Sequence, residues 1–349
     1  MNTLPNGGPL GSIRPTFRVR QRSRCRFVVL AASLLCSTAT PSAWGAWVGD
    51  GEDLMGTRVS VELWHEDEAQ GQALVQRVLA EYRRIDASMS TYKADSEISM
   101  INRHAAFGPV VAGEELFNLI SRSVELSTLS AGAFDITYES VGYLYDFRVR
   151  RRPSQSEIDV RLAAIDYRHI VLDPTAGTVA FAHPEVRINL GGIAKGYAVE
   201  RGAALLQAAG VTHALLNAGG DTRVLGDRRG QPWIVGIRHP RAADQVVTRL
   251  PLVDEAISTS GDYERFFEDA GRRYHHIINP MTGSPTEGIL SVTVIGPDAT
   301  LTDGLSTTLF VLGVERGLEF IRTLPEYEAI IVDAAGRLSY SDGLAPPAD

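Results

Sequence analysis

The stretch ILSVTVIGPDATLTDGLSTTLFVLG, residues 289–313, restricts the fold of this chain more than any other. A strand-patterned run passes within a few residues into a core helix, expected from about Thr302, so the chain must combine both element types. That helix carries an acid. Asp303 lies three and four residues before Ser306 and Thr307, which puts all three on one helical face at the mouth of the apolar run Leu309–Leu312. One carboxylate with two hydroxyls is a hard, all-oxygen set that suits Mg2+, which keeps positions for water and phosphate. The same residues also fit a simple helix start, with Thr302 as N-cap and Asp303 in the first turn.

The remaining pattern interleaves helices with hairpin-joined strands. Residues 55–64 alternate as a strand. Residues 70–88 place Leu74, Val75, Val78, Leu79, Tyr82 and Ile85 on one helical stripe, the mark of a helix covering a sheet. Residues 113–132 form a second amphipathic helix. INLGGIAKGYAVERGAALLQAAG, 188–210, reads as strand, Gly-Gly turn and helix, with Gly210 as C-cap. HALLNAGGDTRVLG and WIVGIRHPR read as strands, and YEAIIVDAAGRLSYS as a closing hairpin. The expected class is α+β, with mixed or largely antiparallel sheets, packed helices and two closely associated lobes. The arginine-rich stretch 148–157 is the expected connection between them.

The N-terminus differs in kind. RVRQRSRCR, then FVVLAASLLCSTA, then small residues at Ala43 and Gly45, has the order of a secretory leader over residues 1–45, with one catalytic domain over 46–349. A retained membrane anchor is the alternative; lipidation at Cys36 is disfavoured by the bulky Leu35 before it. The chain is therefore expected to be exported and periplasmic, with peripheral membrane association as an option. Both cysteines, Cys25 and Cys36, fall in that segment, so the domain has no disulfide, thiolate metal site or cysteine nucleophile. Six of the 34 basic residues fall there too and none of the 42 acidic ones, leaving 28 against 42, or −14. Such an acidic domain is not a nucleic-acid binder.

Other segments carry weaker chemistry. Gly191 and Gly192 sit between a strand and a helix start, with Lys195 one turn in, a place where backbone and helix N-terminus can meet phosphate; a tight turn explains them equally. NAGGD, 217–221, reads as a hairpin turn. In RRYHHIINPMTG, His275 or His276 could serve as a base, although strand histidines are more often structural.

Eight pieces occur in one order: MGT (55–57), STYKADSEISMIN (90–102), GAFDIT (132–137), INLGGIAKGYAVE (188–200), NAGGD (217–221), STSGDYERFF (258–267), HIINPMTG (276–283) and TDGLSTTLFVLG (302–313). Together they resemble the FAD:protein FMN transferases of the ApbE type, over essentially the whole domain. The resemblance implies a Mg2+-dependent enzyme with FAD as substrate. It would attach FMN through a phosphoester to a threonine or serine of an exported or membrane redox protein, releasing AMP. It further implies that Asp303, Ser306 and Thr307, with the backbone oxygen of Gly192, hold the metal. Met55, Tyr92, Ala133, Phe134, Asp135, Asn189, Lys195 and Ile278 match positions around FAD. His276, with Asp303, matches the catalytic positions, His276 as base; His275 has no such match. Departures from the family pattern are Asn189, where many members carry Asp, Lys195, where some carry Glu or Gln, and YESVGYLYDF in place of a Pro-Leu-Trp pattern, with Tyr145 in the tryptophan's packing position. An FAD pyrophosphatase and a non-catalytic exported flavin-binding protein are the other readings.

Overall fold

A computed structural model describes residues 45–344. The expected leader, Cys25 and Cys36 included, lies outside the described residues apart from Gly45.

The described residues form one compact unit. Its spine is a sheet of eight strands whose spatial order follows the chain. They are β1 (Ala46–Leu54), β2 (Thr57–His65), β3 (Ala214–Ala218), β4 (Asp221–Leu225), β5 (Ala256–Gly261), β6 (Ile289–Gly296), β7 (Glu328–Asp333) and β8 (Leu338–Tyr340), with every neighbouring pair antiparallel. This confirms the α+β class with largely antiparallel sheets. Long insertions between sheet neighbours carry the helices: α1 (Glu68–Met89), α2 (Glu97–His104), α3 (Glu114–Leu129), α4 (Ala194–Ala208), α5 (Ala299–Leu312) and α6 (Val314–Ile321).

Strand alternation divides the interior between the two faces of the sheet. Leu225, Ala256, Val294 and Ile331 point into the large core with the helices, while their neighbours Val224, Ile257, Ile295 and Ile330 point the other way. There a hairpin of Trp233–His239 and Ala242–Leu252 covers them with Trp233, Ile237 and Leu252. The predicted stripe of α1 is buried in full, and Asp67 caps that helix by accepting the Gln70 N–H at 3.0 Å. The two anticipated lobes share this one core, to which residues from 98 to 193 contribute as fully as the sheet. Residues 188–190, expected as a strand, pair with no ladder; Asn102 holds them instead, accepting the Ile188 N–H at 2.8 Å and donating to its carbonyl at 2.9 Å.

Helices α4 and α5 meet at Gly196. A Cβ built there would lie 2.1 Å from the Ala299 carbonyl oxygen and 2.6 Å from the Asp303 Cβ. Backbone blocks that position, so Gly196→Ala is expected to destabilise the protein by about 1–3 kcal/mol. Denaturant unfolding checks this; an unchanged midpoint would mean the two helices can separate freely.

Candidate active site

The start of α5 decides between the two sequence readings of Asp303. The helix begins at Ala299, and Asp298 caps it by accepting the Leu301 N–H at 3.1 Å. Thr302 is not the cap, and Asp303 falls past the first turn. Its carboxylate serves another element: Oδ2 accepts the Gly196 N–H of α4 at 2.9 Å, and Lys195 Nζ stands 3.5 Å from both oxygens. The same ammonium donates to Asp221 Oδ2 at 2.7 Å. Asp221 and Asp303 are 1% and 2% exposed. Burial raises the Asp303 carboxyl above the usual carboxylate range, Asp221 adds to the rise, and Lys195 with the Gly196 N–H works against it. Burial also opposes the charge on Lys195, but the two carboxylates outweigh it and hold the ammonium above its ordinary pKa. NAGGD does form the expected hairpin turn, and its last residue joins the charge cluster as well.

Hydroxyls line the adjoining wall. Ser260 Oγ of β5 lies 2.8 Å from Ser306 Oγ and 3.2 Å from Thr307 Oγ1. Ser306 also donates to the Asp303 carbonyl at 2.9 Å. Gly192 abuts this wall, since a Cβ there would lie 3.3 Å from both Thr307 Oγ1 and Phe134 Cε2. Three of the four predicted metal positions are thus contiguous, and Asp303 precedes Ser306 by one turn. Among the described residues no group of three or more His, Cys, Asp and Glu side chains converges as for a transition metal. Carboxylate, hydroxyls and a peptide oxygen are a donor set that fits Mg2+.

The two histidines part ways. His275 is 4% exposed, bonds the Thr286 carbonyl through Nε2 at 2.7 Å and packs its ring on the edge of Phe310; it is structural. His276 keeps a buried Nδ1 with no hydrogen-bond partner. Burial, then the charges of Arg265, His275 and Lys195, push its pKa down to about 3. The folded protein therefore holds it neutral where an unfolded chain would protonate it below about 6.5. The stability this contributes is complete above that value and is lost as pH falls from there towards 3, at about 1.4 kcal/mol per unit. Stability measured from neutral pH down to about 4.5 is expected to fall more steeply in wild type than in His276→Gln. Equal slopes would mean that His276 titrates freely.

Arg265 is a site residue the sequence did not single out. Its Nη2 donates to the Met55 carbonyl at 3.4 Å, beside Gly56, so it joins the left-handed turn at Met55 (φ 54°) to the His276 segment. His276 N–H donates to the Arg265 carbonyl at 3.1 Å. Its sequence signal was the run SGDYERF itself, read only as a family piece.

A third cluster gathers around Asn189. Its Oδ1 accepts the Gly191 N–H at 2.8 Å, and its Nδ2 donates to Glu139 Oε2 at 3.1 Å and Thr91 Oγ1 at 3.2 Å. Burial pushes the Glu139 carboxyl up to about 7, against the donation from Asn189. An aspartate at 189 could not donate that hydrogen bond, which gives the departure at this position a local reason. Tyr92, next to Thr91, is 74% exposed and lies under the Arg148 guanidinium at 5.9 Å. Ala133, Phe134, Asp135 and Ile278 are buried. Asp135 spends its carboxylate on Thr137 N and Oγ1 and on Tyr167 N. Ile278 packs with Val141, Tyr145 and Ile158. Tyr145 does fill a packing role there, and its hydroxyl donates to the Gly283 carbonyl at 3.1 Å.

The model of the ApbE family matches residues 55–331. A curated FAD:protein FMN transferase of Klebsiella pneumoniae (strain 342) is 34% identical over 283 residues, covering 80% of this chain and 87% of its own. The crystal structure of the ApbE protein from Thermotoga maritima superposes with a TM-score of 0.79 at 32% identity, over 85% of this chain and 98% of that one. The apo form of the Pseudomonas stutzeri flavinyl transferase ApbE gives 0.75 at 30% identity, over 85% and 95%.

Proposed function

Because the chain belongs to the ApbE family, with curated FAD:protein FMN transferases among its relatives, we propose that it transfers FMN from FAD to a hydroxyl of a partner protein with Mg2+ held at Asp303. The observation that carries this reading is the placement of Asp303: buried, past the first turn of its helix, with Lys195 at its carboxylate and the hydroxyls of Ser306 and Thr307 one turn further along the same helix.

The hydroxyl oxygen of an acceptor threonine or serine bonds to the FMN phosphorus of FAD, the bridging P–O bond breaks, and AMP leaves with that oxygen. Bound Mg2+ would neutralise the diphosphate oxygens and stabilise the charge that moves to the leaving group. Asp303, Ser306, Thr307 and the Gly192 carbonyl are the residues to hold it. Lys195 keeps the two neighbouring carboxylates in place. His276, neutral and with a free buried nitrogen, takes the proton of the attacking hydroxyl. Asn189 and Glu139 brace the Gly191 turn, and Tyr92 offers an exposed aromatic face to a flavin or adenine ring.

The leader-like residues 1–45 support export, and exported or membrane redox proteins are then the acceptors. Among the described residues no helix is long and apolar enough to cross a membrane. Mass spectrometry of proteins from cells with and without the gene tests the reading. FMN-bearing threonine or serine peptides that vanish with the gene are expected; their full persistence would overturn it.

A further inference from the structure

Next to the site, the chain raises a ridge of arginines. Residues Arg148–Arg152 are all exposed, with Val149 70% exposed among them. The ridge is a tight reverse turn closed by a bridge between Asp146 and Arg151, whose backbones exchange hydrogen bonds of 2.9 Å in both directions. It is anchored, since Arg152 pairs with Asp269 at 3.1 Å and lies over the Tyr274 ring at 5.1 Å. Below it Phe147 stacks on Tyr145 and touches Phe267. Arg150 is held at φ 56°, a conformation that a glycine or asparagine would take at less cost.

Besides Asp269, which pairs with Arg152, two acids lie close to the ridge: Asp146 within the turn, and Glu157, whose carboxyl pKa is lowered mainly by Ser154 and in part by the Arg151 charge. The Asp146 carboxylate accepts the backbone N–H groups of Arg148 and Val149 at 3.0 and 3.2 Å. Arg148, Arg150 and Arg151 form no ion pair among the described residues, although acidic side chains outnumber basic ones in this domain by 14. The ridge also borders the site on both sides. Tyr145, three residues before Arg148, bonds the Gly283 carbonyl in the loop that follows His276, and Arg148 overlies Tyr92.

A basic ridge beside the site of an otherwise acidic domain can orient a partner by charge. We propose that Arg148, Arg150 and Arg151 form a docking surface for an acidic segment of the acceptor protein, flanking the residue that receives the flavin. This rests on the transferase reading for what the acceptor receives, but not for the charge preference itself.

The test uses the full chain and two fluorescent peptides, each with one threonine, flanked in one by aspartates and in the other by asparagines. The acidic peptide is expected to bind more tightly, with an affinity that falls as salt rises. Arg150→Glu with Arg151→Glu is expected to weaken it roughly tenfold or more, while FAD binding and melting temperature stay unchanged. Arg150→Gln with Arg151→Gln should give a smaller loss and guards against misfolding of the first variant. Equal binding of the two peptides, no binding of either, or an unaffected double variant would overturn the proposal. So would a ridge that holds phosphatidylglycerol vesicles in sedimentation without distinguishing the peptides, which would make it a membrane surface. Charge-selective docking without any flavin transfer would instead leave the surface standing and remove the transferase reading.

Discussion

Asp303→Asn is expected to lower the rate of flavin transfer by roughly 10²–10³-fold or more while the protein stays folded. Asparagine keeps an oxygen for the Gly196 N–H, and Lys195 keeps its 2.7 Å pair with Asp221. What disappears is the one carboxylate among the proposed metal donors. Asp303→Ala is the poorer experiment, because it also strands a buried Gly196 N–H at a cost of about 1–3 kcal/mol. Initial rates over a range of Mg2+ concentrations check the prediction. A wild-type rate in Asp303→Asn, with wild-type Mg2+ dependence, would show that the carboxylate only fastens α4 to α5.

His276→Ala is expected to reduce transfer by about 10²–10⁴-fold and to leave FAD binding nearly intact. The free protein holds His276 as a weak base, pushed down to about 3 by burial and then by the Arg265 and Lys195 charges among others. A bound diphosphate brings negative charge to those same cations and so raises the imidazole pKa towards neutrality. The substrate thereby makes the base effective where it is needed. The sign of the linkage follows: FAD binding should take up a proton, and FAD affinity should rise as pH falls. Calorimetry in buffers of different ionisation heat measures that uptake, and His276→Ala should lose it. Loss of FAD binding together with transfer would make His276 a structural residue.

Much of this was legible in the sequence because local periodicity suffices for it. The helical stripe of α1, the alternation of β2 and the hairpin at Gly219–Gly220 are each set by residues a few positions apart. The boundary of α5 was missed by three residues because Asp298 is as good a cap as Thr302, and only the hydrogen bond to Leu301 tells them apart. Residues 188–190 carry strand composition but find an asparagine side chain where a ladder was expected. The Asp303 face was visible as spacing on one helix. Its partners were not, since Lys195 and Ser260 come from elements 108 and 46 positions away or more. Arg265 and Glu139 had no signal of their own for the same reason: the first reaches back 210 positions to Met55, the second 50 positions forward to Asn189.

Counting products in a single reaction tests the central claim most directly. The purified protein is incubated with FAD, Mg2+ and a protein bearing an acceptor threonine, and AMP is measured alongside flavin covalently bound to the acceptor. One AMP per flavin adduct is predicted, with neither formed when the metal is chelated. AMP released without an adduct would make the protein a pyrophosphatase, and an undiminished yield in the presence of chelator would contradict the role given to Asp303.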